Sequence, residues 1–421
     1  MENYQVLIIG GGTAGIMVAA QLKNKDKKLK IGIIEPSEKH KYQAAWTLVG
    51  AGDFKMEDTI RNEKDYIPNG VDWIKEYATN IDPEQNQVEI ATGLKYSYDY
   101  LVVAPGLVMD LEVLPGLKES LGKGVVCSNY TDPEHTWEVL KNFKGGNAVF
   151  TQPATPIKCG GAPQKIMYLA EDYLRKKGLR KDSNVIYATP GSVIFGVPEF
   201  AKTLNNIINE RDIIFKPFYT PTKIDANKKQ IHFSYNTKGD KSGCIGTDKN
   251  ITGEEFTGES EIVMPFEMLH LAPPQAAPKF IRDSKIAHQD GPSKGWVNVD
   301  ANTLQHNVYP NIFSLGDVAA LPTAKTGAAI RKQTPVVVEN LYHLIQNNKL
   351  SSSQYEGYSS CPLITGYGKM VLAEFKYNNV RDSDPLISTF VDTTKEQYSM
   401  WLLKKYGLPF LYWNVMLKGK M

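Results

Sequence analysis

The stretch Gln5-Val6-Leu7-Ile8-Ile9-Gly10-Gly11-Gly12-Thr13-Ala14-Gly15-Ile16 decides the fold. A short apolar run at residues 5–9 meets a glycine-rich turn. Helical apolar spacing then runs from Ile16 to Leu22, and a second apolar run, Ile31 to Ile34, is closed by Glu35. Strand, tight turn, helix, strand is the βαβ unit of a doubly wound α/β fold. In the pattern Gly10-x-Gly12-x-x-Gly15, Gly10 permits the tight turn and Gly12 lets backbone approach a pyrophosphate. Gly15 lets helix and strand pack closely, and the helix N-terminus faces the anion. Glu35, about 20 residues beyond the last glycine, can accept the ribose hydroxyls of an adenosine.

Working outward, two later segments echo each other. Tyr98-Asp99-Tyr100-Leu101-Val102-Val103-Ala104-Pro105-Gly106 and Phe266-Glu267-Met268-Leu269-His270-Leu271-Ala272-Pro273-Pro274 each read as a buried strand running into a proline stop. The expected architecture is two Rossmann-like dinucleotide-fold domains, the second inserted into the first, plus a C-terminal membrane-interface region. The boundaries are 1–113 with 272–345, 114–271, and 346–421. The second half begins near Asn147, with a strand from Ala148 to Thr151. Where a nucleotide cradle needs glycines it has Gln152-Pro153-Ala154-Thr155-Pro156-Ile157-Lys158-Cys159-Gly160-Gly161-Ala162-Pro163. The prolines remove N–H donors, and the next strand, Asn184 to Ala188, ends in Thr189-Pro190-Gly191 without an acidic ribose ligand. This half is expected not to bind NAD(P). Residues 236–260 read as an exposed hairpin or loop.

Composition narrows the function. The chain has 421 residues, 42% hydrophobic and 22% charged, as in a globular protein with large cores. Lys and Arg number 48 against 46 Asp and Glu, a formal charge of +2, so no positive field for nucleic acid exists. Four cysteines are too few for a disulfide scaffold. The start of the sequence reads as neither a signal nor a transit peptide. No stretch approaches the ~18–20 apolar residues that span a bilayer. The histidines show no paired ligand spacing, so no metal site is expected, and His270 and His306 are expected to be structural.

Cys159 precedes a helix expected to start at Pro163 and to run through Ile166, Met167, Leu169 and Leu174 to near Gly178. Unpaired N–H groups and the positive dipole end there, with Lys158, favour a thiolate. Cys361, in Ser359-Ser360-Cys361-Pro362-Leu363, reads equally well as a core thiol or as a site. Cys127 is expected to be a buried hydrophobe, with a redox role left open, and Cys244 an exposed loop residue.

The glycine fingerprint, "YLVVAPG" through Gly106 and "IFSLGD" ending at Asp317 resemble, in this order, the flavoprotein disulfide reductase superfamily. "TPIKCGGAPQKIMYLAE" and "YEGYSSCPLITGYGKMVLAEF", with "GWVNVDANTLQHNVYPNIFSLGDVAALPTAKT" and "PFLYWNVMLKG", resemble the mitochondrial-type branch of the sulfide:quinone oxidoreductase family over nearly the whole chain. The resemblance implies an FAD enzyme, with Asp317 on the ribityl chain, Gly106 at the cofactor and Lys325 near the isoalloxazine. It implies that Cys159 and Cys361 form a redox-active pair. Sulfide leaves a persulfide on Cys361, the freed Cys159 thiolate passes electrons to FAD, and a membrane quinone collects them. The sulfur acceptor is then a thiol, sulfite or further sulfide.

From Gln397 to Met421 the tail lacks acidic residues and combines Tyr398, Trp401, Tyr406, Phe410, Tyr412 and Trp413 with Lys404, Lys405, Lys418 and Lys420. Gly407 and Pro409 are expected to split it into two short segments suited to monotopic attachment at a membrane surface; packing on the core or on a homodimer partner is the alternative. With no presequence apparent, the expected place is the cytoplasmic face of a bacterial cell membrane rather than the mitochondrial inner membrane. Competing readings are a type II NADH:quinone oxidoreductase, disfavoured by the prolines of the second half, an FAD-stabilised non-enzymatic interaction protein, and a flavocytochrome-type sulfide dehydrogenase, disfavoured by the tail.

Overall fold

The computed structural model describes residues 1–236, 251, 253–258 and 260–421. Cys244 and most of the stretch expected to be an exposed hairpin lie outside the described residues. The elements that position the site are, in chain order, β1 (Glu2–Ile9), α1 (Thr13–Lys25), β2 (Ile31–Ile34), β3 (Val71–Ile74), β4 (Ala78–Asp82), β5 (Gln87–Ile90) and β6 (Lys95–Val103). There follow β7 (Val126–Cys127), β8 (Gly146–Thr151), α2 (Ala162–Lys176), β9 (Ser183–Thr189), β10 (Ile214–Pro217), β11 (Met268–Leu271), β12 (Ile312–Ser314), α3 (Gly327–Asn347), β13 (Ser359–Gly366) and β14 (Lys369–Lys376).

Among the described residues the first sheet runs β3-β2-β1-β6-β5-β4, with β12 also pairing with β6. Val6, Leu7, Ile8 and Ile9 of β1 are all buried, as expected of a central parallel strand covered on both faces. In α1 the small residues Ala14, Gly15, Ala19 and Ala20 bring the helix close to that sheet. A Cβ on Gly15 would collide with the Gly10 carbonyl, and one on Gly10, at φ +101°, with the Ala104 carbonyl. These two glycines close the turn between β1 and α1.

The second sheet is all parallel, in the order β7-β11-β8-β9-β10. It is built from chain that lies between β6 and β12 of the first sheet, so the two echoing segments occupy equivalent places as β6 and β11. Helix α2 lies on this sheet, its face Ile166, Met167, Leu169, Ala170 and Leu174 fully buried. The hairpin β13–β14 packs against α2 from the other side, in the same core cluster as Leu363, Ile364, Val371 and Ala373. The Cys361 segment of the C-terminal region is thereby brought onto the inserted half.

The tail departs from its expected shape. Helical backbone continues from Tyr398 to Met416, and Gly407 adopts ordinary helical angles, φ −69° and ψ −50°. Wide turns absorb the proline: Leu408 N–H donates to the Leu403 carbonyl and Leu417 N–H to the Tyr412 carbonyl, both five residues back. With i→i+5 bonding on both sides, the N–H that Pro409 lacks does not break the run. Among the described residues no helix is long and apolar enough to cross a membrane.

Gly15→Ala forces α1 away from β1 because the obstructing atom is backbone. Chemical denaturation is expected to show a loss of about 1–3 kcal/mol or more, with unchanged stability contradicting the packing described.

Candidate active site

The C-terminal end of β1 and the N-terminus of α1 form a cradle. No side chain caps α1 at Gly12, and a Cβ built there meets no atom within 4 Å. Gly106, at φ +73°, is likewise open. Glu35 closes the cradle from the end of β2: its Oε2 accepts from Gly11 N at 2.7 Å and its Oε1 from Ser37 N at 2.8 Å. Burial raises the Glu35 pKa, against the lowering by these two backbone donors. An uncapped helix N-terminus beside a half-buried carboxylate fits the pyrophosphate and ribose of a dinucleotide.

Asp317 follows β12 through Gly316, whose N–H donates to Gln333 Oε1 of α3 at 2.9 Å. Half-buried, its carboxyl is raised by desolvation and lowered by the nearby Lys158 and Lys325 ammoniums. Lys325 Nζ donates to the Ala319 carbonyl at 3.0 Å and lies 4.2 Å over the Trp296 ring. Burial lowers its pKa to about 8. Its backbone has a second task, since Cys159 N–H donates to the Lys325 carbonyl at 2.7 Å. The loop after Asp317 is thus tied to the cysteine loop.

The cysteine loop is held under strain. Cys159 has φ +50°, a left-handed conformation costly for a residue with a side chain. It is fixed from three sides: Lys325 takes its N–H, while Ala162 N and Tyr130 Oη donate to its carbonyl at 2.7 and 3.2 Å. This directs Sγ toward Cys361 of β13, far along the sequence, and both cysteines are free thiols. Their side chains are hydrogen-bonded to one another. Gly161 is required here, because a Cβ on it would collide with Cys361 Sγ.

A charge completes the cluster. Lys165, only 3% exposed, donates from Nζ to Cys159 Sγ at 3.0 Å. The Cys361 hydrogen bond and the Lys165 ammonium hold the Cys159 thiol well below its ordinary range despite burial. The Cys361 thiol is raised by the same hydrogen bond and by burial. Lys404 of the tail is also buried, donates to the Ala44 carbonyl at 2.8 Å, and has a pKa lowered to about 8 by desolvation and by Lys165. Both shifts favour the thiolate on Cys159 over one on Cys361, beside two buried lysines.

Sequence reasoning placed the favouring charge on Lys158. The Lys158 ammonium reaches Gln43 and remains in electrostatic reach of Cys159, while the cation bonded to the sulfur is Lys165, inside the helix. Its signal was a lysine interrupting an otherwise buried helical stripe, flanked by Ala162 and Leu169 at i−3 and i+4. Lys404, read as an interfacial lysine, had no local signal for burial. Lys405 likewise pairs with Asp53 at 2.7 Å.

The remaining candidates are structural in their contacts. Cys127 is fully buried, its thiol pushed up to about 12 by desolvation, with Sγ 3.5 Å from the Leu269 carbonyl. Burial lowers the His270 pKa to about 3, and its Nε2 accepts from Asn129 N. His306 is bonded to the Ile286 carbonyl and takes the N–H groups of Val308 and Tyr309. No group of three or more His, Cys, Asp or Glu among the described residues could hold a metal.

Residues 4–141 match the family model "Pyridine nucleotide-disulphide oxidoreductase". The chain is 40% identical over 420 residues to "Sulfide:quinone oxidoreductase, mitochondrial" of Mus musculus, covering 99% of this chain and 87% of that protein. It is 42% identical to the protein of the same name from Dictyostelium discoideum, covering 99% and 86%. The fold matches the X-ray structure of the sulfide:quinone oxidoreductase of Aquifex aeolicus with a TM-score of 0.76 at 20% identity, over 100% of this chain and 92% of that one. These relatives correct one expectation. Three relatives at 35–42% identity are named mitochondrial, which overturns the assignment to the cytoplasmic face of a bacterial cell membrane.

The Lys404 ammonium gives a pH test. The folded protein sheds its proton near pH 8, whereas the unfolded chain holds it to about 10.5. Across that window the unfolded chain binds more protons, so Lys404 makes stability rise with pH, by at most about 1.4 kcal/mol per pH unit. Denaturation from pH 8 to 10 is expected to show this rise in wild type relative to Lys404→Met. Parallel pH curves for the two proteins would contradict it.

Proposed function

The chain belongs to the sulfide:quinone oxidoreductase family of flavin-dependent enzymes, and we propose that it oxidises sulfide at Cys159 and Cys361, passes two electrons through FAD and delivers them to a membrane quinone. The observation that carries this is the buried meeting of two distant thiols with the Lys165 ammonium, in electrostatic reach of Asp317.

In its oxidised form the pair is a disulfide. Hydrosulfide attacks the Cys361 sulfur; the S–S bond breaks, its electron pair goes to Cys159 as thiolate, and Cys361 carries the persulfide with the proton that arrived on sulfur. A low-pKa thiol leaves readily in such an exchange, and Lys165 stabilises the thiolate as it forms. The strained Cys159 loop and its three backbone anchors keep that sulfur in place. An acceptor thiol, sulfite or further sulfide then takes the outer sulfur from Cys361, leaving a second thiolate. Bound FAD supplies the two-electron acceptor through which the pair is reoxidised at the expense of quinone.

For the cofactor, Gly10, Gly12 and Gly15 with the α1 N-terminus take the pyrophosphate and Glu35 the ribose hydroxyls. Gly106 would leave room for it, Asp317 would take the ribityl hydroxyls, and Lys325 would stand near the ring. The tail supports docking on a lipid surface. Tyr398, Leu402, Tyr406 and Phe410, four residues apart, are all exposed on one face, while Met400, Tyr412, Trp413, Met416 and Leu417 are buried against the core. Leu386 and Phe390 of the short helix Pro385–Phe390 are exposed as well. Such a face, lodged at the headgroup boundary, gives a quinone entry from lipid.

Sulfide added anaerobically to the flavin-loaded protein is expected to bleach the flavin, and quinone to restore it. In Cys159→Ser and Cys361→Ser the rate is expected to fall on the order of 1,000-fold or more. Bleaching by NADH but not by sulfide, or variants that react as wild type does, would sink the proposal.

A further inference from the structure

The first and last parts of the chain are joined by a buried hydrogen-bond chain that neither the thiol chemistry nor membrane docking uses. It begins at Glu63, after the small hairpin formed by Lys39–Lys41 and Ile60–Asn62. Glu63 Oε2 lies 3.0 Å from His40 Nδ1, and His40 Nε2 lies 2.6 Å from Tyr412 Oη of the tail. Tyr412 Oη in turn lies 2.7 Å from Thr13 Oγ1, at the first position of α1 beside Gly12. Glu63, His40 and Tyr412 are each at most 6% exposed. The tail end continues along the same helix, where Gln21 Nε2 donates to the Met421 carbonyl and Asn24 Nδ2 to the Gly419 carbonyl.

The other carboxylate oxygen of Glu63, Oε1, is buried with no hydrogen-bond partner among the described residues, and an unsatisfied buried acceptor is costly. It lies 2.8 Å from where a Gly11 Cβ would stand, beside the Glu35 side chain. The free acceptor therefore borders the loop that carries the cradle, next to the carboxylate assigned to the ribose.

We propose that Glu63 is a further FAD-binding residue, accepting a hydroxyl of the adenosine ribose, and that His40 and Tyr412 are positioning residues that make cofactor retention and tail docking one linked equilibrium. The inference rests on the assignment of FAD to this cradle. With the dinucleotide bound, Glu63 is satisfied on both oxygens and holds His40, which holds Tyr412. With the tail docked, Tyr412 holds Thr13 and so the first turn of α1. Coupling of this kind is reciprocal: whatever the tail adds to FAD affinity, FAD adds to tail docking.

The test uses the full-length holoenzyme and Tyr412→Phe, which keeps the ring and removes the hydroxyl. Flavin fluorescence on serial dilution is expected to show FAD held about fivefold or more weakly in the variant. Hydrogen exchange, compared between FAD-loaded and FAD-stripped wild type, is expected to be slowed by FAD at residues 398–418, and the slowing to shrink in Tyr412→Phe. A purely structural tyrosine would not transmit FAD binding to the tail amides. Unchanged FAD affinity in the variant, or tail exchange in wild type that ignores FAD, overturns the inference. A wild-type protein that takes up no FAD at all overturns the cofactor assignment and this inference together, so the two failures are distinguished by wild type alone. Should Tyr412→Phe fail to fold, the wild-type exchange comparison alone decides the outcome.

Discussion

A lysine ammonium sealed against a thiol is the constraint on which the rest of this structure depends. Lys165 sits 3.0 Å from Cys159 Sγ at 3% exposure, and an ammonium is costly to bury unless an anion meets it. The Cys159 thiol, whose pKa this contact lowers, is the group placed to supply that anion. Each group makes the other tenable, and removing either would leave an unpaired charge in a low-dielectric site. Helix α2, the strained Cys159 loop, the loop of Lys325 and the hairpin carrying Cys361 all converge on this contact. The inserted half has the parallel sheet and helix of a nucleotide fold, with a cysteine loop where such a fold would carry its glycine loop. Its Pro153, Pro156 and Pro163 stiffen the backbone where N–H donors would otherwise cradle a phosphate.

Two charges beside one sulfur pair also account for the tail. Lys404 enters the same cluster from the C-terminal helix, so the segment that presents Tyr398, Leu402, Tyr406 and Phe410 to the outside closes the cysteine cluster with its inner face. The tail is accordingly both a wall of the cysteine cluster and an exposed apolar surface: one face packs on the core, as the alternative expectation has it, and the other is open.

Much of this was legible in the chain because it is local. The run from Gln5 to Glu35 shows its strand, turn and helix through glycines at fixed spacing, and β1, α1 and β2 stand where that pattern puts them. The proline-bounded cysteine and the helix after it read off in the same way. The cation at the sulfur did not, because adjacency in sequence favours Lys158, whereas the helix swings Lys165 round to the thiol six residues on. Gly407 and Pro409 misled for a related reason: propensity marks a break, but wide helical turns and a buried inner face carry the backbone through. The link from Tyr412 to His40 joins residues 372 positions apart, and no local pattern encodes it.

The relay of sulfur through the pair is tested most directly by peptide mapping under non-reducing conditions, on the oxidised protein before and after one equivalent of sulfide. The mechanism predicts that a peptide joining Cys159 to Cys361 disappears, leaving Cys361 with one added sulfur atom and Cys159 open to alkylation. Thiols that stay unlinked after oxidation, or an added sulfur found on Cys127 or Cys244 instead, would contradict it.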